Sequence, residues 1–148
     1  LSVSEIADAL NGEWLVKPRD EDVIIESFLI GAMSPPSALK YFRRARKAAL
    51  VTGGDRADLQ NLALETSNIK CLLLTGHLEP PGTILGKAEE KEIPVILVAD
   101  DTLTTIGKVD EIFGKARIKG KAKIERIKEL VESNLDLEAL MSAKIDEE

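Results

Sequence analysis

The residues of this chain that have chemistry to offer collect at three short junctions, Thr52-Gly53-Gly54-Asp55-Arg56, Thr75-Gly76-His77 and Asp100-Asp101-Thr102. At the first, successive small residues let backbone N–H groups point at an anion at the start of the following helix, with Arg56 nearby as a counter-charge. The same residues also make a strand-to-helix turn, in which glycine supplies a positive φ and Asp55 caps the next helix. A turn accounts for one glycine better than for two. At the third junction Asp100 and Asp101 are suited to hold Mg²⁺ beside a phosphate, while Asp101 or Thr102 is equally suited to cap a helix. Thr102, Thr104 and Thr105 are helix-start donors under either reading. His77, the single histidine, has no cysteine or second histidine beside it to share a metal, and reads as a loop residue bonded to backbone.

Other chemistries find no support in the spacing. Gly82 to Ala88, GTILGKA, imitates a phosphate-binding P-loop but has three residues between its glycines where the motif needs four, and Lys-Ala where it needs Lys-Ser or Lys-Thr. No GxGxxG follows a strand, and no serine sits on a nucleophile elbow. Cys71, in Cys-Leu-Leu-Leu, belongs to a buried strand and behaves as a small hydrophobe. Nothing assembles a nucleophile, a base and an orienting group, so no catalytic residue and no metal site is assigned.

The elements that position these junctions alternate. Ser2 with Glu5 is a capping box for a helix carrying Val3, Ile6, Ala7 and Leu10, which Asn11-Gly12 ends. A short strand, Glu13 to Val16, comes next. Val23 to Ala32 is largely apolar and predicts a strand buried on both faces. Ser34-Pro35-Pro36 opens a helix with Ala38, Leu39, Phe42 and Ala45 inward. Three similar units follow: Ala48 to Val51, Cys71 to Leu74 and Pro94 to Val98 predict strands, each leading through one junction into a helix. The three helices carry Leu59, Leu62 and Ala63; Ile84, Leu85 and Ala88; and Ile106, Val109, Ile112 and Phe113. Strands joined by crossovers of this length are parallel, so all three polar tips fall on one edge of the sheet, where open α/β sheets bind ligands. Beyond them, Ile124, Ile127, Leu130 and Val131 form one helical stripe, and Leu137, Leu140, Met141 and Ile145 another after a break near Asn134. The fold class is α/β: a mainly parallel sheet flanked by helices, with amphipathic C-terminal helices that dock in cis or join a partner chain.

Composition narrows the partners. The 148 residues make one α/β domain, residues 1–115, and a helical extension, residues 116–148. Aromatics are 3% of the chain, so the core is aliphatic. A net charge of -6 argues against nucleic acid, and the basic clusters near Arg43 and from Lys115 to Lys128 read as solvated helix faces. No apolar run reaches membrane-spanning length, and the lone cysteine fits a reducing, cytoplasmic setting. Leu1 in place of a Met leads us to expect a domain of a longer polypeptide. Leftover apolar surface from Ile124 onward leads us to expect a homodimer.

The tips also carry a resemblance. Gly54-Asp55-Arg56, Leu74-Thr75-Gly76, Ala88-Glu89-Glu90-Lys91 with Ile93-Pro94-Val95, and Asp101-Thr102-Leu103-Thr104-Thr105 resemble the DRTGG domain family, in the same order and from about Leu1 to about Phe113. The family is named for its Asp-Arg and Thr-Gly-Gly elements, and the chain departs from it at His77, where the second glycine would stand. The resemblance implies a regulatory module rather than an enzyme. Such domains are found beside CBS domains in pyrophosphatases, in the N-terminal part of bacterial phosphate acetyltransferases, and after a P-loop domain in phosphotransacetylase-like proteins, as compact α/β domains that pair. The expected ligand is a small anionic metabolite or nucleotide, with or without Mg²⁺, lined by Thr52, Gly53, Gly54, Asp55, Arg56, Thr75, Gly76, His77, Asp101 and Thr102. The alternatives are an enzyme acting on a phosphorylated substrate, with Asp100, Asp101 and His77 in acid-base and metal roles, and a purely structural dimerisation module.

Overall fold

A computed structural model of the chain describes residues 1–19 and 23–135. Ten elements follow in order: α1 (Val3–Ala9), β1 (Glu13–Val16), β2 (Ser27–Ile30), α2 (Pro35–Arg44), β3 (Ala48–Gly53), α3 (Ala57–Leu64), β4 (Ile69–Thr75), α4 (Gly82–Glu90), β5 (Val95–Leu97) and α5 (Thr102–Leu135). The strands form one five-stranded sheet in the order β1-β5-β4-β3-β2. Strands β2 to β5 pair in parallel and β1 pairs antiparallel with β5. The fold is thus α/β with a mainly parallel sheet and flanking helices.

Alternation along the central strands sorts their side chains into two cores. Ala48, Leu50, Leu72, Leu74, Val95 and Leu97 face one side, where Phe42 of α2, Leu59 and Ala63 of α3, and Ile84 and Ala88 of α4 cover them. Ala49, Val51, Cys71, Leu73 and Ile96 face the other, under Val3 and Ile6 of α1 and Val109 and Phe113 of α5. Strands covered on both faces must be apolar at consecutive positions, which is why these runs read as near-continuous Val, Leu and Ala. Each fully buried Leu, Ile or Val side chain contributes roughly 1.5–3 kcal/mol of hydrophobic stabilisation.

Local signals set several boundaries. The capping box is formed, with Ser2 Oγ accepting from the Glu5 amide and Glu5 Oε1 accepting from the Ser2 amide. Asn11, at φ 51, turns the chain out of α1 in the left-handed conformation that asparagine tolerates. Ser34 stands at the N-cap of α2, although its hydroxyl bonds to Ser37 rather than to a backbone amide.

The strand expected from Val23 to Ala32 is corrected. Only Ser27–Ile30 is a strand, and it lies at the sheet edge with its residues half-buried or exposed. Ahead of it the chain pairs with the N-terminus instead, through Val3 N to Val23 O and Ile25 N to Leu1 O. An apolar run therefore served two purposes, edge pairing and a cover for α1, where its composition suggested one central strand.

The chain divides into two units, Leu1–Phe113 and Gly114–Glu148. In the second, the described residues up to Leu135 are helical, and Ile118, Ile124 and Ile127 are exposed on them. The expected stripe from Leu137 to Ile145 lies outside the described residues. Among the described residues no helix is long and apolar enough to cross a membrane.

Candidate functional site

The three polar junctions come together at the carboxyl edge of the parallel strands. Gly54 N donates to Thr75 O, Gly76 N to Asp100 O and His77 N to Val98 O. The hydroxyls of Thr75 and Thr102 lie 2.6 Å apart. Tip one is thereby bound to tip two, and tip two to tip three.

These bonds change the expected role of the backbone. The Gly54 amide goes to Thr75 and the Arg56 amide to Gly53 O, so neither points at an incoming anion. The doubled glycine also has a different cause from a positive φ, which neither Gly53 nor Gly54 adopts. A Cβ on Gly54 would collide with the backbone carbonyl of Leu78. A Cβ on Gly53 would sit 2.5 Å from Asp55 Oδ1. Gly54 is required because the β4–α4 loop lies directly on the β3–α3 turn, whereas Gly53 makes room for the Asp55 side chain of its own turn.

The side chains at the first tip divide by environment. Thr52 is fully buried and donates to Gly31 O at 2.8 Å, fastening the end of β2 to β3. Asp55 is exposed. It does not cap α3: the N-cap residue is Arg56, whose side chain makes no capping bond. Asp55 stands one residue too early because the turn takes up three residues before helical geometry begins. The Arg56 guanidinium donates through Nη2 to Met33 O at 2.9 Å and through Nε to Asp58 Oδ1 at 3.2 Å. Its side chain remains one-third exposed. Arg56 holds the Asp58 carboxyl below the usual carboxylate range, chiefly by this hydrogen bond.

At the other tips, Gly76 and His77 both have positive φ, 78 and 53. His77 therefore adopts the left-handed conformation at the position where the DRTGG motif has its second glycine. Asp101 is the cap of α5, with Oδ1 accepting from Thr104 N at 2.7 Å. That bond, with one from the Thr104 side chain, lowers the Asp101 pKa. Thr105 Oγ1 donates to Asp101 O. Asp100 accepts from Lys108 Nζ at 2.6 Å. Both aspartates therefore already have partners. Among the described residues no group of three or more His, Cys, Asp or Glu is placed to hold a metal ion.

One central residue escaped the sequence reading. Gln60 is fully buried, and its Nε2 donates to both Gly53 O and Gly54 O, at 3.0 and 3.1 Å. The inner face of α3 is Leu59, Gln60, Ala63 and Leu64, so the available signal was a polar residue at an inward position. A further depression, of about 570 Å³, lies at the opposite, amino edge among Leu64, Thr66, Ile69, Lys70, Lys91 and Ile93.

The model of the DRTGG domain matches residues 5–112, and the chain belongs to the DRTGG domain family. It is 32% identical over 134 residues to a phosphate acetyltransferase of Nitratidesulfovibrio vulgaris (strain Hildenborough), covering 84% of this chain and 19% of that protein. It is 24% identical over 119 residues to the uncharacterized protein YtoI of Bacillus subtilis (strain 168), covering 80% of this chain and 26% of that one. Among solved structures it is similar to the CBS and DRTGG domains of the regulatory region of Clostridium perfringens pyrophosphatase, complexed with the activator diadenosine tetraphosphate. That likeness has a TM-score of 0.63 and 26% identity, over 73% of this chain and 45% of the other. The chain thus spans about a fifth and a quarter of the length of these two curated relatives.

Proposed function

We propose that this domain is a non-catalytic regulatory and dimerisation module of the cytoplasm. It senses a small anionic metabolite, a nucleotide foremost, on behalf of a phosphotransacetylase-like or P-loop enzyme domain in the same polypeptide. The observation that carries the reading is Arg56: a guanidinium one-third exposed at the carboxyl edge, with Nη1 left over from the bonds to Met33 and Asp58. An anion meeting Arg56 would share it with Asp58, so binding would be coupled to the geometry of the β2–α2 loop that carries Met33 O. Coupling of a ligand contact to a loop position is what a regulatory domain requires. The regulatory setting of the pyrophosphatase neighbour and its activator, a dinucleotide, support the same ligand class.

The test is a thermal-shift and calorimetric screen against ATP, AMP, diadenosine tetraphosphate, acetyl phosphate and coenzyme A, with and without Mg²⁺. A nucleotide at about a hundred times its Kd raises stability by about 2.7 kcal/mol, a readily measured shift. We expect a saturable shift with at least one nucleotide and no turnover of any compound. Absence of a shift throughout at millimolar concentration would contradict the sensing role, and turnover above background would favour an enzyme. Sedimentation of the chain at micromolar concentration is expected to give twice the 16.1 kDa monomer mass.

A further inference from the structure

The depression at the amino edge, opposite Arg56, has a chemistry of its own. Its floor is apolar: Leu64 and Ile69 are buried in the core cluster under α2, α3 and α4, and the half-buried Val23 and Ile93 lie beside them. Around the rim stand Glu65, Ser67, Lys70, Lys91 and Glu92. The two carboxylates are already paired, Glu65 with Lys87 at 2.8 Å and Glu92 with Arg19 at 3.2 Å. Lys70 and Lys91 enter no ion pair among the described residues. The rim therefore holds two positive charges with no counter-charge.

Helix C-termini ordinarily repel an anion, because their last carbonyls carry partial negative charge. Here many of those carbonyls are already engaged. At the end of α3, Leu62 O accepts from Thr66 Oγ1 and Ala63 O from Thr66 N. At the end of α4, Lys87 O, Ala88 O and Glu89 O accept from the amides of Lys91, Ile93 and Glu92 respectively. Bonds to the chain itself blunt both negative ends. The space, about 570 Å³, is that of a site for a small organic ligand. We propose that the amino-edge depression is a second ligand site, which takes a phosphate monoester with an apolar organic part. The phosphate lies between Lys70 and Lys91, within reach of the Ser67 hydroxyl, and the organic part lies on Val23 and Ile93. Two ammonium point charges match the charge of about -2 that a phosphate monoester carries near neutral pH, where a carboxylate carries one. The site is independent of the contact at Arg56.

Amide NMR spectra of the isotope-labelled 148-residue chain, titrated with AMP and with inorganic phosphate, test this. AMP should move the amides from Ser67 to Lys70 and from Lys91 to Ile93 saturably, and should bind more tightly than inorganic phosphate. Lys70→Gln with Lys91→Gln should lower that affinity by about tenfold or more, and Lys70→Arg with Lys91→Arg should recover part of it. Lys91→Gln alone, at an exposed position, should act in the same direction with the fold unchanged. Arg56→Ala should leave these shifts as they are. Absence of saturable shifts at these amides at millimolar AMP, or undiminished affinity in the Gln variants, would overturn the proposal. Shifts confined to Gly53 to Ala57 and lost in Arg56→Ala would also overturn it, while leaving the reading built on Arg56 standing. Equal affinities for AMP and inorganic phosphate would overturn the role given to the apolar floor.

Discussion

The carbonyl of Leu78 fills the space that a side chain on Gly54 would need. The β3–α3 turn and the β4–α4 loop are therefore in direct backbone contact. Gly54→Ala must push two backbones apart and is expected to cost about 1–3 kcal/mol or more by overpacking. Gly53→Ala meets only the tip of the Asp55 side chain, which can rotate, and should cost less than half as much. Urea denaturation of the two variants checks the order.

Gln60 should matter to the site more than any residue in the turn itself. Its amide satisfies Gly53 O and Gly54 O together, and Oε1 is buried without a partner. Gln60→Ala is expected to destabilise by about 1–3 kcal/mol for the unsatisfied carbonyls, with more for the void. Gln60→Glu should be worse at neutral pH, since a buried carboxylate would face two carbonyls, and should recover as pH falls and it protonates. Thermal melts at pH 7 and pH 5 give both comparisons.

His77 occupies the left-handed region at φ 53, which costs a side-chain-bearing residue about 1–2 kcal/mol relative to glycine in the same conformation. Against this stands the greater entropy that glycine loses on folding. Restoring the family residue with His77→Gly should therefore stabilise the domain by about 0.5–1 kcal/mol, read as a higher midpoint in urea. A lower midpoint would mean that the imidazole makes a contact the fold relies on.

Most of the architecture was legible in sequence, because doubly covered strands and capped helices leave strong patterns. Ser2 with Glu5 marked α1, and the runs around Leu50, Leu72 and Ile96 marked the central strands. The edge was not legible: Val23 to Ala32 is as apolar as a central strand, yet β2 is short and half-buried because, among the described residues, it is an edge strand paired only with β3. At the site, alternation placed all three tips on one edge, and the bonds between them confirm that grouping. What the pattern could not convey was contact between loops distant in sequence. Gly54 reads as a turn glycine until Leu78 is laid upon it, and the partners of Gln60, the carbonyls of Gly53 and Gly54, come into view only with the folded turn.

Acid should act on the α5 cap. The Asp101 carboxyl is held below its usual range by the Thr104 amide and side chain. A group whose pKa is depressed on folding contributes stability above its unfolded value, near 3.9, and loses it as pH falls through the folded value. Asp101→Asn keeps an acceptor oxygen for the Thr104 amide but does not titrate. The advantage of wild type over Asp101→Asn should thus be greatest near neutral pH and vanish toward pH 2, in parallel melts of the two proteins.

The sensing role turns on Arg56 and its tie to Asp58. If an anion binds there, Arg56 supplies a charge-assisted bond worth roughly 1.5–3 kcal/mol, and Arg56→Lys restores the charge without the fork. Asp58 competes for the same guanidinium, so Asp58→Asn should tighten binding. The decisive measurement is calorimetric titration of the tightest binder among ATP, AMP and diadenosine tetraphosphate into wild type, Arg56→Ala and Asp58→Asn, each shown to be folded. Affinity should fall by about tenfold or more in Arg56→Ala and rise in Asp58→Asn. Equal affinities for wild type and Arg56→Ala would contradict the sensing role.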